Sequence, residues 1–294
     1  MNQVAYILQP GKLGDIIICS TIANYYHQKG FKIKWPVFDN FIPVIERFDF
    51  VEPVSFGCML PSSQYFTNKK RVEFWQQGAK SLNEISDNSI SSTAKNSINF
   101  FNKFYKVTRE ANCKVIDPCF SFPGHINYST NIKIQNFRKE NRNWIDLKFS
   151  LADVPLRERW NFNFNRNYEK EQNLLDFIKS YSRKKYGSEK FNLVHTYSSL
   201  KIPDNLENVI NFSYIKGYEI FDWYRVIQES ENIYCVDSSL CNFIEVIPEF
   251  KEKNKFYLGS EELHYHSYMR NILLNNWVNL SNEKDINYSG FLDE

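Results

Sequence analysis

Glycine is scarce in this chain, with 10 in 294 residues, which leaves little room for the glycine-rich loops that wrap phosphates. The six cysteines (Cys19, Cys58, Cys113, Cys119, Cys235 and Cys241) form no Cys-x-x-Cys pair and no zinc-ligand spacing. Four of them lie in or beside apolar runs and read as core thiols, so a reducing, cytoplasmic setting is expected. No apolar run approaches the roughly 20 residues that span a bilayer, so no transmembrane segment is expected. The start, MNQVAYILQPGKLGD, lacks the basic and apolar regions of a signal peptide. An excess of one charge is missing too. The 36 basic and 34 acidic residues leave a formal net charge of +2, far from the basic field of a nucleic-acid binder. Lys69-Lys70-Arg71 and Arg183-Lys184-Lys185 therefore read as solvated helix faces, with a weak peripheral membrane contact left open.

What the chain has in plenty is aromatic bulk, 25 Phe and 18 Tyr, enough to fill two cores with rings. The pattern is α/β. Val4 to Leu8 reads as a strand, Gln9 to Gly14 as a turn, and Ile16, Cys19, Ala23 and Tyr26 as one face of a helix starting at Asp15. Gly30 suits the residue after that helix, and Phe31 to Phe38 a second strand. Strands are also expected at Phe50 to Phe56 and Lys114 to Asp117, with helical spacing over Ala94 to Val107. After an irregular stretch near 140 to 165 the rhythm returns. Tyr168 to Tyr186 reads as an amphipathic helix carrying Leu174, Leu175, Ile178 and Tyr181, stopped by Gly187. Strands follow at Phe191 to His195, Asn208 to Phe212, Ile233 to Val236 and Lys255 to Leu258, and helices at Ile220 to Gln228 and Ser238 to Ile247. This predicts two Rossmann-like domains, 1–150 and 151–294, with a cleft between them.

Three strand-end loops could carry chemistry. In the strand-to-helix turn Gly11-Lys12-Leu13-Gly14-Asp15, Gly14 ends the turn and Asp15 has two readings: a helix cap, or a general base facing a hydroxyl. Lys12 is followed by Leu13, so the loop is no Walker motif. Asp237-Ser238-Ser239 opens a helix after a strand, where hydroxyls and free N–H groups suit a diphosphate or plain capping. Asp237 would repel phosphate, so holding the loop or binding a sugar hydroxyl suits it better. In His195-Thr196-Tyr197-Ser198-Ser199-Leu200-Lys201, hydroxyls precede a lysine able to neutralise phosphate. His125, after Pro123-Gly124, is an outside candidate for acid–base work.

Gly14-Asp15-Ile16-Ile17 after a first strand resembles the start of the ADP-heptose:lipopolysaccharide heptosyltransferases. So does Ile233-Tyr234-Cys235-Val236-Asp237-Ser238-Ser239-Leu240-Cys241-Asn242, which is similar to that family's strand followed by D-[ST]-G-x-x-H. The His195 to Ser199 loop looks like its donor loop. The resemblance implies a GT-B fold and metal-independent, inverting sugar transfer from a nucleotide-sugar donor to a hydroxyl of a glycan or glycolipid acceptor. It implies Asp15 as base, with Gly14, His195, Ser198, Ser199, Lys201, Asp237, Ser238, Ser239 and Asn242 around the donor. Ser239 replaces the family's Gly and Asn242 its His, so the sugar does not carry over. Asn242 can donate a hydrogen bond to phosphate but cannot become cationic.

No Asp-x-Asp occurs, which removes the metal site of the alternative GT-A transferases. His264 and His266 beside Glu261 and Glu262 lack a third ligand, so no metal or other cofactor is expected. A nucleotide-sugar epimerase and a non-catalytic partner subunit remain as other readings of the same fold.

Overall fold

The computed structural model describes residues 3–9, 13–55, 113–116, 118, 144–196, 203, 205–258 and 276–280. Contacts divide the chain into two compact units. One comprises 1–12, 22–140 and 147–156, and the other 13–21, 141–146 and 157–294. The expected helix over Ala94 to Val107, and His125, Ser198, Ser199, Lys201, Glu261, Glu262, His264 and His266, lie outside the described residues.

The first unit is built on a four-stranded, all-parallel sheet. Its strands are β1 (Val4–Ile7), β2 (Lys32–Val37), β3 (Val51–Ser55) and β4 (Lys114–Ile116), in the order β3-β2-β1-β4. Ala5 sits opposite Ile33 on one side and Lys114 on the other. Ala5, Ile7, Ile33, Trp35 and Val37 are buried on one face of the sheet, and Tyr6 and Pro36 on the other. Trp35 Nε1 donates to the Gln9 carbonyl at 2.8 Å, satisfying the indole where it is buried.

Helix α1 (Leu13–Gln28) follows β1. It begins two residues before the expected start, which places Asp15 inside the first turn rather than at the cap. It is also not buried along one stripe, because every residue from Ile16 to Asn24 is buried. The polar ones among these need internal partners, and Ser20 and Thr21 donate to the carbonyls of Ile17 and Ile18 at 2.7 and 2.8 Å. Gly30 ends this segment at φ 87°, where its N–H donates to the His27 carbonyl at 2.8 Å. A short helix α2 (Ile42–Ile45) precedes β3.

The stretch expected to be irregular contains helix α3 (Trp144–Leu151), followed by a 3₁₀ turn over Leu156–Trp160. Five consecutive α3 residues, Ile145 to Phe149, are buried, so no helical alternation of apolar and polar residues marks it in the sequence. In the first unit, Tyr26 Oη donates to the Ala152 carbonyl just after it at 2.6 Å.

The second unit holds a five-stranded parallel sheet. Strands β5 (Asn192–His195), β6 (Val209–Asn211), β7 (Asn232–Cys235), β8 (Asn254–Tyr257) and β9 (Trp277–Asn279) run in the order β6-β5-β7-β8-β9. The last was not anticipated, since its two apolar residues, Trp277 and Val278, sit between asparagines, which are depleted in strands. Helix α4 (Tyr168–Tyr186) has the expected bounds. Asn167 Oδ1 caps it by accepting from Lys170 N at 3.0 Å, and Gly187 ends it at φ 75°. Leu174, Leu175 and Ile178 are buried as expected, but Tyr181 is 46% exposed. The expected helix from Ile220 begins as a 3₁₀ turn (Ile220–Trp223) and continues as α5 (Tyr224–Glu229). Helix α6 (Ser239–Glu245) follows β7. Phe162, Phe164, Phe221 and Phe243 pack with ring centroids 5.0 to 6.3 Å apart, a use for the aromatic surplus. No helix among the described residues is long and apolar enough to cross a membrane.

Candidate functional site

Parallel α/β sheets bind ligands beyond the carboxyl ends of their strands, where strand order reverses. In the second sheet that point lies between β5 and β7, which run side by side with His195 opposite Cys235. Two of the loops singled out in the sequence therefore leave the sheet next to each other. His195 Nδ1 lies 3.0 Å from Ser238 Oγ. The Cys235 thiol lies 3.5 Å from the same hydroxyl and 4.0 Å from the same ring nitrogen. The chain is described as far as Thr196 here, and Ser198, Ser199 and Lys201 lie beyond it.

Ser238 is the N-cap of α6, and its Oγ accepts from Cys241 N at 3.3 Å. Capping is thus its observed task, and the His195 contact occupies it further. Cys235 is a neighbour that the sequence reading passed over as a core thiol; only its position opposite His195, a register property, brings it into the cluster. Burial opposes ionisation of the Cys235 thiol, yet hydrogen bonds with Cys241, His195 and Ser238 outweigh it and draw its pKa down. Burial pushes the Cys241 thiol up.

Asp237 follows β7 after one residue, Val236. Burial raises its carboxyl to about 6, with Cys235 and Asp15 adding to the shift. Both carboxyls belong to the second unit, where the start of α1, which carries Asp15, closely approaches α6. A Cβ on Gly14 would lie 2.7 Å from Asn242 Nδ2 and 3.4 Å from Ser239 Cα. Gly14, Asp15, Asp237, Ser239 and Asn242 are therefore brought together, along with His195 and Ser238.

Asn242 is buried, and its Oδ1 has no hydrogen-bond partner among the described residues. That oxygen is an acceptor suited to a ligand hydroxyl.

The Gly14 contact gives a direct prediction. Ala at this helical position gains about 0.5–1 kcal/mol of propensity, while overpacking a buried contact costs about 1–3 kcal/mol. Gly14→Ala is expected to be net destabilising in denaturant melts. Adding Asn242→Ala should restore most of the loss, and a Gly14→Ala protein as stable as the parent would contradict the close approach.

The first sheet reverses order between β1 and β4, and the side chains there were not foreseen. Lys148 of α3 is fully buried, and its Nζ donates to Gln9 Oε1 at 2.8 Å and to the Pro118 carbonyl at 3.5 Å. The one sequence signal is a lysine set among apolar residues in Trp144-Ile145-Asp146-Leu147-Lys148-Phe149.

No family model and no curated protein matches the sequence. Among solved structures, the chain is similar to the glycosyl transferase family 9 protein from Veillonella parvula, with a TM-score of 0.50 and 10% identity. The similarity covers 99% of this chain and 90% of that one, and at this identity it is a likeness of fold, which in this chain is α/β with parallel sheets.

Proposed function

We propose that the chain is a metal-independent, inverting glycosyltransferase that moves a sugar from a nucleotide-diphosphate donor to a hydroxyl of a glycan or glycolipid. The observation that carries this reading is the convergence of Asp15 with Asp237, Ser239 and Asn242 at the reversal point of the second sheet. The likeness in fold to a family 9 glycosyl transferase supports it. Residues 151–294 hold the donor and 1–150 face the acceptor in this reading. The acceptor oxygen attacks the anomeric carbon as the bond from that carbon to the diphosphate oxygen breaks. The electron pair leaves with the diphosphate, and the hydroxyl proton passes to Asp15. Asn242 Oδ1 accepts from a sugar or ribose hydroxyl. Asp237, with its pKa near 6, can hold a proton at mildly acidic pH and then donate rather than repel. Ser198, Ser199 and Lys201 complete the donor loop as the sequence resemblance implies.

Thermal-shift measurements against a panel of nucleoside diphosphates test the donor half. A ligand present at 100 times its Kd adds about 2.7 kcal/mol to stability, so one nucleoside diphosphate should raise the melting temperature well above the others. Ser239→Ala should weaken that ligand up to about tenfold, the worth of one hydrogen bond. Ser238→Ala should instead cost about 1 kcal/mol of stability through its cap. A panel in which no nucleoside diphosphate shifts the melting temperature would sink the proposal.

A further inference from the structure

Helix α4 carries more aromatic surface than a solvated helix needs. Phe177 is 55% exposed and Tyr181 46% exposed, and they lie one turn apart at i and i+4. Spacings of three and four residues extend the same stripe through Lys170, Asn173, Phe177, Tyr181 and Lys184, all of them exposed. Lys185 borders it, with its Nζ 5.6 Å from the Tyr181 ring centre and 4.8 Å from that of Tyr186. The stripe has no acidic residue.

The acids of the helix lie elsewhere. Glu171 is buried. Glu169 and Asp176 are exposed beside Asn173, at i−4 and i+3, and Asp176 accepts from Gln172 at 2.7 Å. Nearby acids on other elements are engaged with the remaining basic side chains: Glu229 pairs with Lys179 at 3.1 Å, and Glu189 pairs with Arg183. The Phe177, Tyr181, Lys184 and Lys185 end of the stripe thus presents rings and cations away from the acids, while at the other end the Lys170 ammonium donates to the Gly217 carbonyl at 3.1 Å.

We propose that this face of α4 docks on an anionic membrane surface, with Phe177 and Tyr181 entering the headgroup region and Lys170, Lys184 and Lys185 facing lipid phosphates. Aromatic rings favour that interface because one part is apolar and the setting is partly wet. Lysines near an anionic leaflet each contribute about fivefold in binding. The arrangement fits a membrane better than a second copy of the chain. Lysines stand at both ends of the stripe with rings between, so a two-fold pairing of identical faces would set lysine against lysine. Binding of this kind is reversible and salt-sensitive, unlike insertion of a spanning helix. The inference does not depend on sugar transfer and survives if that reading fails.

Co-sedimentation of the full chain with vesicles tests it. The protein should sediment with phosphatidylcholine vesicles containing phosphatidylglycerol, far less with phosphatidylcholine alone, and less again as salt is raised. Lys184→Glu with Lys185→Glu should reduce the anionic binding by about 25-fold or more. Phe177→Ser with Tyr181→Ser should weaken it while leaving the salt dependence in place. Both pairs are on the surface, so melting temperatures should stay close to the parent's, and a milder Phe177→Ala variant serves if either pair unfolds. Equal sedimentation with neutral and anionic vesicles, or unchanged binding by the folded variants, overturns the proposal. So does a dimer in size-exclusion chromatography that the Phe177/Tyr181 variant abolishes, or equally tight binding to a single-stranded oligonucleotide.

Discussion

Asp15→Asn is expected to lower turnover by about 10²–10⁴-fold, the usual worth of a positioned general base, while nucleotide affinity and melting temperature change little. Asparagine has the size of aspartate and can accept a hydrogen bond, but its amide cannot take the proton of an incoming hydroxyl. The position of Asp15 sharpens the comparison. It lies within the first turn of α1 instead of at the cap, so a purely structural role would be an interaction with the helix end, worth about 0.3–1 kcal/mol. Loss of that interaction would move stability slightly and turnover hardly at all. A second readout is independent of catalysis. Asp15 helps raise the Asp237 carboxyl to about 6, so removing its charge should lower the Asp237 titration midpoint in carbon-13 carboxyl spectra. Near-normal turnover in a folded variant would return Asp15 to a structural part, and an unmoved Asp237 midpoint would mean that the two carboxyls do not interact.

Such pairing of distant residues is where the sequence alone stops. Strands with continuous apolar runs, such as Asn192–His195 and Asn232–Cys235, are legible because a buried parallel strand has few other ways to cover its faces. Helix α4 is legible because Asn167 and Gly187 bracket one amphipathic period. Helix α3 is hidden because burial on all sides erases the period, and β9 because Trp277 and Val278 are set between asparagines. Tyr181 falls at the right spacing for the buried stripe of α4, yet it sits on the edge of that stripe, and spacing cannot tell edge from centre. In the candidate site, the individual loops could be found as strand ends, but their adjacency depends on sheet order. Nothing local says that β5 neighbours β7, or that Gly14 meets Asn242 across 228 positions. The Asn242 acceptor is a case of the same kind, since only the packing reveals that its Oδ1 is buried without a partner among the described residues.

Glu245→Gln is expected to cost about 3–5 kcal/mol, the penalty for leaving a buried partner charge uncompensated, or a fall of about 10 °C in melting temperature. Glu245 is fully buried in the last turn of α6, 3.5 Å from the Arg159 guanidinium, which is itself buried. Its other oxygen accepts from Trp277 Nε1 at 2.8 Å, tying β9 to the helix. Burial lowers the pKa of Arg159, and Glu245, Cys241 and Asp146 oppose that shift. Burial also lowers Lys255 to about 8, against the pull of Glu245 and Glu252. A lysine whose pKa is lower folded than unfolded destabilises the fold while protonated, and stability recovers as pH rises through the folded value. Glu245 offsets that cost only while Lys255 is charged. The deficit of Glu245→Gln should accordingly be largest below pH 8 and shrink above it, leaving the part due to Arg159, which stays charged. Replacing both partners, with Arg159→Met and Glu245→Leu, should recover the part of the loss due to Arg159, while the parts due to Lys255 and the Trp277 N–H remain. A Glu245→Gln loss near zero, or a double variant as unstable as the single one, would mean that the pair does not anchor α6. The far end of this helix holds Ser238, Ser239 and Asn242, so the stability measurement also asks how firmly the candidate site is mounted.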